Sequence, residues 1–216
     1  MNVSGNTTPQ RCRWPYLAAS GLAWATFGTL WWAVRHGGPA FDRPLLALLH
    51  RHTAPVPDQL AVFLTIVGNT GPMVGAGLLV LAGLLVRRQR RAAWAFGLSV
   101  GGSMVLTQVI KALVLRPRPD LWPSIRPEHT YSFPSGHAMD TAAIATAVAF
   151  LAWQFRGRWR WLAWTLGPLF VLGVGWARAY LGVHYPSDVL AGWAAAVGWV
   201  LLAQGLAAPG RLGTDR

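Results

Sequence analysis

The sequence holds one cysteine, Cys12, so no intrachain disulfide can form, and one lysine, Lys111. Charge is scarce: charged residues make up 12% of the chain and apolar residues 53%. That is about half the charged share usual in a soluble domain and points to a membrane protein. Seven acids face 19 basic residues, for a formal charge of +12. In a soluble protein that surplus would suggest nucleic acid. Here the arginines flank apolar runs, so topology and anionic membrane lipid account for them and no nucleic-acid partner is expected. The run from Trp14 to Val34 is too long for a signal-peptide core, has no convincing cleavage site, and reads as a retained first span. Eighteen arginines against one lysine suggest a GC-rich bacterial genome. No repeat, linker or low-complexity stretch divides the chain, so residues 1–216 are expected to form one domain.

The apolar runs predict an all-α, polytopic membrane bundle with six transmembrane helices. These are Trp14–Val34, Pro72–Val86, Ala92–Leu115, Ala138–Phe155, Trp161–Ala177 and Val189–Ala208. Between the first two, Pro44–His52 and Val56–Val67 predict short interfacial helices. Gly68-Asn69-Thr70-Gly71-Pro72 predicts a break with Pro72 as the first helical residue; the alternative is one long helix from Gln59 to Val86. The chain ends and the loops holding Arg87, Arg88, Arg90 and Arg91 and Arg156, Arg158 and Arg160 carry 11 of the 19 cations on one side. The positive-inside rule makes that side cytoplasmic, with both termini, in a multi-pass protein of the plasma (inner) membrane. The tryptophans, mostly near span ends, read as an aromatic belt, and Gly97–Gly102 as a close helix-packing face.

Against this apolar background stands a sparse polar pattern, K-x6-R-P, then P-S-G-H, then R-x5-H-x3-D. The topology puts all three segments on the outer side. Lys111 and Arg118 would lie about 10 Å apart along a continuous helix. Pro117 and Pro119 oppose continuation, so Arg118 is expected to turn back over the helix end. Both suit non-bridging phosphate oxygens, which arginine can bind bidentately. Pro134-Ser135-Gly136-His137 precedes an apolar helix and so aims backbone N–H groups at an anion. Gly136 permits close approach, Ser135 can cap the helix or bond an oxygen, and His137 can serve as a general acid. His184 and Asp188 have the spacing of facing helical neighbours, although Pro186 makes contact across a helix start the alternative. The carboxylate would fix the imidazole tautomer and leave the other nitrogen nucleophilic. Arg178 supplies a third cation. Arg116 and Arg126 hold no motif position and read as snorkelling surface cations. Asp140 either complements the helix dipole or tunes His137. His36, His50, His52 and His129 show no metal-ligand spacing.

As an ordered set from Lys111 to Asp188, the segments resemble the three-part signature of the type 2 phosphatidic acid phosphatase family. That family includes the vanadium haloperoxidases and glucose-6-phosphatase-like enzymes. The resemblance implies a phosphohistidine mechanism: His184 attacks phosphorus, Asp188 orients it, and His137 protonates the leaving oxygen. Lys111, Arg118, Arg178, Ser135 and Gly136 hold the phosphate oxygens. It implies no metal or other cofactor, the cations taking that part. One departure is Ala177, where the family often has serine before the arginine. The implied function is a lipid phosphatase acting on a phosphomonoester or pyrophosphate at the outer face, with membrane lipids around it. Phosphatidic acid, phosphatidylglycerol phosphate, an isoprenyl pyrophosphate and a phosphorylated glycolipid all stay open. A catalytically silent scaffold or transporter, and a family member acting on soluble phosphate esters, are the alternatives. Oligomeric state is not legible.

Overall fold

A computed structural model describes residues 14–153 and 158–207. The described residues form eight helices and no strand. They are α1 (Trp14–Arg35), α2 (Asp42–His50), α3 (Pro55–Val67), α4 (Thr70–Val86), α5 (Arg90–Val114), α6 (Gly136–Ala152), α7 (Arg158–Tyr180) and α8 (Pro186–Ala207). Four of them, α1, α5, α7 and α8, are long and apolar enough to cross a membrane alone. Helices α3 and α4 make a fifth candidate if their pair, bent by 48°, is one broken span. The chain is therefore a multi-pass helical protein. Helix α6 is apolar but has 17 described residues, a little under the 20 or so that cross a bilayer.

Alanine-rich α6 lies at the centre, against α5, α7, α8 and α4, and α1 lies along α8. Small residues bring these helices together where larger ones would collide. Gly192 of α8 sits so near the Ser135 carbonyl that a Cβ there would lie 2.9 Å from it. Gly175 of α7 and Gly102 of α5 accommodate the rings of Trp193 and Trp199, and the Trp199 indole donates to the Leu98 carbonyl at 2.9 Å. Ser20 of α1 donates to the Gly198 carbonyl of α8 at 2.8 Å. Of the Gly97–Gly102 face, Gly102 takes part in close packing, whereas Gly97 and Gly101 face open space. The aromatic belt is likewise partial. Trp14, Trp94, Trp153 and Trp161 are exposed near helix ends, while Trp193 and Trp199 pack against neighbouring helices.

The region between the first two predicted spans folds, as expected, into two short helices, α2 and α3, with a break before α4. Helix α3 follows the C-terminal half of α7 in the opposite direction. Tyr180 donates to Asp58 at 2.6 Å, Leu64 packs on Gly173, and Gly68 meets Val174 at the break. It is thus held by packing on α7 and continues into α4 across a bend. Helix α4 begins at Thr70 after Asn69, two residues before Pro72.

Candidate active site

Four helix ends meet: the C-termini of α5 and α7 and the N-termini of α6 and α8. Helix α5 stops at Leu115, a left-handed residue, because Pro117 and Pro119 cannot extend it. The following loop, residues 115–135, closes on itself through Ser132 N–H to the Arg116 carbonyl at 2.8 Å. It is tied to the α7–α8 turn by Ser124 donating to the Leu181 carbonyl at 2.7 Å. That turn is tight because Gly182 adopts φ +67°, and the Trp122 indole lies on it so closely that a side chain would clash.

Lys111 and Arg118 converge as expected. Lys111 Nζ donates to Thr130 Oγ1 at 3.1 Å, and Arg118 Nη2 reaches the same oxygen at 2.9 Å. Arg118 Nη1 bridges the Val183 carbonyl at 2.7 Å and His184 Nε2 at 3.0 Å. Arg178 is wholly buried and pairs through Nη2 with Glu128 at 2.7 Å, while its Nε and Nη1 have no hydrogen-bond partner among the described residues. Ser135 Oγ and His137 Nε2 are also buried and unpartnered. Ser135 has extended backbone at the N-cap of α6 but makes no side-chain cap bond, so its hydroxyl is free for an oxygen. Gly136 lies beside the Lys111 ammonium, 3.9 Å from where a Cβ would stand. These unpaired donors and cations together fit an anion of phosphate chemistry.

His184 is buried, with Nδ1 3.4 Å from Ser132 Oγ and 3.6 Å from Asp188 Oδ2. The expected His184–Asp188 pair therefore meets across the start of α8, with Ser132 beside it. Asp188 Oδ2 also accepts from Ser132 Oγ and from the Tyr185 N–H at 2.9 Å. The latter is the reach-back carboxylate of a capped helix start, with Pro186 as the first helical residue. Burial, followed by the charges of Arg178, Arg118, Lys111 and His137, holds the His184 imidazole well below the ordinary histidine range. This favours the neutral imidazole, and the Arg118 N–H aimed at Nε2 is compatible with a proton on Nδ1 and a lone pair on Nε2. Burial alone would raise the Glu128 carboxyl, but the charge and hydrogen bond of Arg178, helped by His137 and Arg118, bring it below its usual value.

Two expectations need correction. Arg116 is no snorkelling surface cation. Its side chain is 11% exposed and joins Asp188 Oδ1 to Asp42 Oδ2, the latter at 2.8 Å. Asp140 lies beyond the first turn of α6, where the helix dipole is weak. It accepts from Thr70 at 2.8 Å and so links α6 to α4. His50, the last residue of α2, stacks on Trp122 with ring centroids 4.0 Å apart. Sequence reasoning also passed over Asp42, Thr130, Ser132 and Glu128. Glu128 alone carried a signal, as the sole glutamate in the chain.

The described residues are all helical, and three cations and two histidines gather where four helix ends meet, a set whose chemistry suits a phosphate ester. Comparison places the chain further: residues 92–207 match the PAP2 superfamily profile. The chain belongs to that superfamily and is a phosphatase. It is 28% identical over 138 residues to phosphatidylglycerophosphatase B of Bacillus subtilis, covering 62% of this chain and 68% of that protein. It is 29% identical over 160 residues to undecaprenyl-diphosphatase of Sulfolobus acidocaldarius, covering 71% and 72%. Its fold resembles the crystal structure of a transmembrane PAP2-type phosphatidylglycerolphosphate phosphatase from Bacillus subtilis. The TM-score is 0.78 at 23% identity, over 87% of this chain and 95% of that one.

Proposed function

We propose that the chain is an integral-membrane lipid phosphatase that hydrolyses a lipid phosphomonoester or pyrophosphate at the outer face through a phosphohistidine, without a metal. The observation that carries this reading is the set of buried, unpaired donors on Arg178, Ser135 and His137 beside neutral His184. Leaving a buried arginine donor unsatisfied is costly, and a phosphate satisfies it. His184 Nε2 attacks phosphorus while Lys111, Arg118, Arg178, Ser135 and the Gly136 backbone hold the non-bridging oxygens. The bond to the leaving oxygen breaks, and His137 gives that oxygen a proton. Water then attacks the phosphohistidine, with His137 taking its proton, and releases phosphate and free His184. Asp188 holds the imidazole orientation throughout. Positioning and charge neutralisation supply most of the rate in such transfers.

The relatives' names include a phosphatidylglycerophosphatase and an undecaprenyl-diphosphatase, and both substrate types suit this site. The deciding experiment is phosphate release by purified protein from a panel of lipid phosphates and pyrophosphates, with glucose 6-phosphate as the soluble comparison. Membrane-bound lipid presents its phosphate at the depth of the helix ends, whereas a soluble ester gains nothing from the spans. The expected kcat/KM preference for the best lipid is at least about tenfold, or about 1.4 kcal/mol of differential transition-state binding. Glucose 6-phosphate turned over as well as every lipid would overturn the lipid assignment and leave the phosphohistidine chemistry standing.

The proposed topology counts α6 as a span, six in all, in the plasma membrane, with the site outside and both termini in the cytoplasm. The terminal residues lie outside the described ones. After Cys12→Ser, a cysteine introduced at Gln89 should be shielded from an impermeant thiol reagent in intact cells, and one at His129 should be labelled. The reverse pattern would move the chemistry to the cytoplasmic face.

A further inference from the structure

Helix α2 is short and mostly exposed, yet it buries an acid. Asp42 is 3% exposed and is held from three sides. Its Oδ1 accepts the Ser187 N–H at 2.9 Å, and its Oδ2 accepts Ser187 Oγ at 2.6 Å and Arg116 Nη2 at 2.8 Å. Arg116 then turns its other amino group to Ser187 Oγ at 2.8 Å and to Asp188 Oδ1. Its guanidinium lies over the Tyr185 ring, 4.0 Å from the centroid. Gly38 lets the guanidinium in, because a Cβ there would stand 3.0 Å from Arg116 Nη2. Asp188 has no solvent exposure, and a buried carboxylate needs a counter-charge and filled lone pairs to remain a carboxylate. The counter-charge at hydrogen-bond distance is Arg116. The cations on the phosphate side, Lys111 and Arg118, meet at Thr130, and Arg178 pairs with Glu128.

We infer that Arg116, anchored by Asp42, is a positioning residue for the reaction: it grips Asp188 Oδ1 from behind, so that Oδ2 stays turned to His184 Nδ1. The inference rests on the phosphohistidine reading. Ser132 and the Tyr185 N–H hold one oxygen of Asp188 and Arg116 holds the other, so the carboxylate cannot rotate. The anchor, Asp42, comes from α2, outside the four helix ends that form the phosphate site. Arg116 borders a cavity of about 370 Å³, lined also by Gly38, Asp42, Arg43, Pro117 and Tyr185, on the α2 side.

Such a residue should act on turnover and leave substrate binding alone. In detergent-solubilised full-length protein assayed with phosphatidylglycerol phosphate, Arg116→Ala should lower kcat about 100-fold with KM changed less than about threefold. A displaced orienting group can have an effect of that size. Arg116→Lys keeps the charge without the two-ended grip and should fall between the two. Asp42→Asn, which keeps the shape and loses the anchoring charge, should lower kcat about fivefold, again at unchanged KM. Because the cavity adjoins the guanidinium position, added guanidinium should restore kcat of Arg116→Ala in a saturable way and leave the wild type unaffected. A purely structural role would not give that response. Thermal melts show which variants fold; should Arg116→Ala fail, Arg116→Lys and Asp42→Asn decide by the same kcat and KM criteria. Wild-type kcat in the folded variants, or a loss confined to KM, would overturn the inference. His184→Ala run alongside separates the two readings. If it is inactive while Arg116→Ala turns over normally, only the positioning role falls; if His184→Ala is active, the phosphohistidine reading falls as well.

Discussion

His184→Ala should reduce turnover of every phosphate substrate by at least about 10⁴-fold, the scale on which loss of a nucleophile acts in covalent hydrolases. The loss should be independent of the leaving group, because the proposed first bond to phosphorus is made by the imidazole whatever departs. The other nitrogens at this place are cationic or, in His137, assigned to the leaving oxygen. Lys111, Arg118 and Arg178 are cations, and Asp188 lies on the far edge of the ring. Binding should suffer far less, since the donors proposed to hold the phosphate remain. A competitive phosphate analogue should therefore bind His184→Ala and wild type within about tenfold of each other. The measurement is phosphate release from a lipid phosphate and an aryl phosphate in the same micelles, with a melt to show that the variant folds. Truncating a buried ring leaves a cavity and frees one edge of Asp188, so some loss of stability is expected. Turnover by a folded His184→Ala within tenfold of wild type would remove the nucleophile from the mechanism.

Much of the frame was legible because it is local. A long apolar run ended by charges or prolines specifies a helix and its limits with little help from the rest of the chain. The predicted Trp14–Val34 and Ala92–Leu115 became α1 and α5 within two residues at either end. The eight expected site residues lie at the four meeting helix ends because an ordered motif fixes both distance and side. The turn of Arg118 back over α5 followed from its two prolines. What stayed hidden depends on residues far apart in sequence. Arg116 and Asp42 are separated by 74 positions, and nothing in either neighbourhood announces the other. Arg116 looked like an interfacial cation because its surroundings are those of a span end; its burial comes from the fold of α2 over the α8 start. Glu128 and Arg178 stand 50 positions apart and met only once the 115–135 loop had closed. Asp140 was assigned to its own helix, whereas its partner Thr70 comes from α4. The seat of α3 on α7 was hidden as well, because the small residues Ala61 and Gly68 signal nothing until the partner is known.

His137→Ala should behave differently from His184→Ala, and the difference tests the division of labour between the two histidines. If His137 protonates the leaving oxygen, its loss should matter in proportion to how poorly that oxygen departs unaided. With a lipid phosphomonoester the leaving group is an alkoxide, and the expected fall in kcat is about 10²- to 10⁴-fold, the usual range for a positioned general acid. With an aryl phosphate the phenolate leaves without a proton, so the phosphorylation step should slow less than about tenfold. Phosphohistidine can then form while its hydrolysis lags, because the same imidazole is proposed to accept the proton of the attacking water. His137→Ala should therefore give a burst of phenol equal to the enzyme present, followed by slow release of phosphate, with labelled phosphate trapped on the protein. An isoprenyl pyrophosphate falls between these extremes, since its leaving group is itself a phosphate. The ratio of the two losses then also indicates which bond the site is adapted to break. His137 is suited to the part: it is buried, as are the unpaired donors of Arg178 and Ser135, its Nε2 has no protein partner, and it lies in the first turn of the helix whose N-terminus is proposed to face the phosphate. Equal losses with the alkyl and aryl substrates would remove His137 from the leaving-group step and reassign it to phosphate binding.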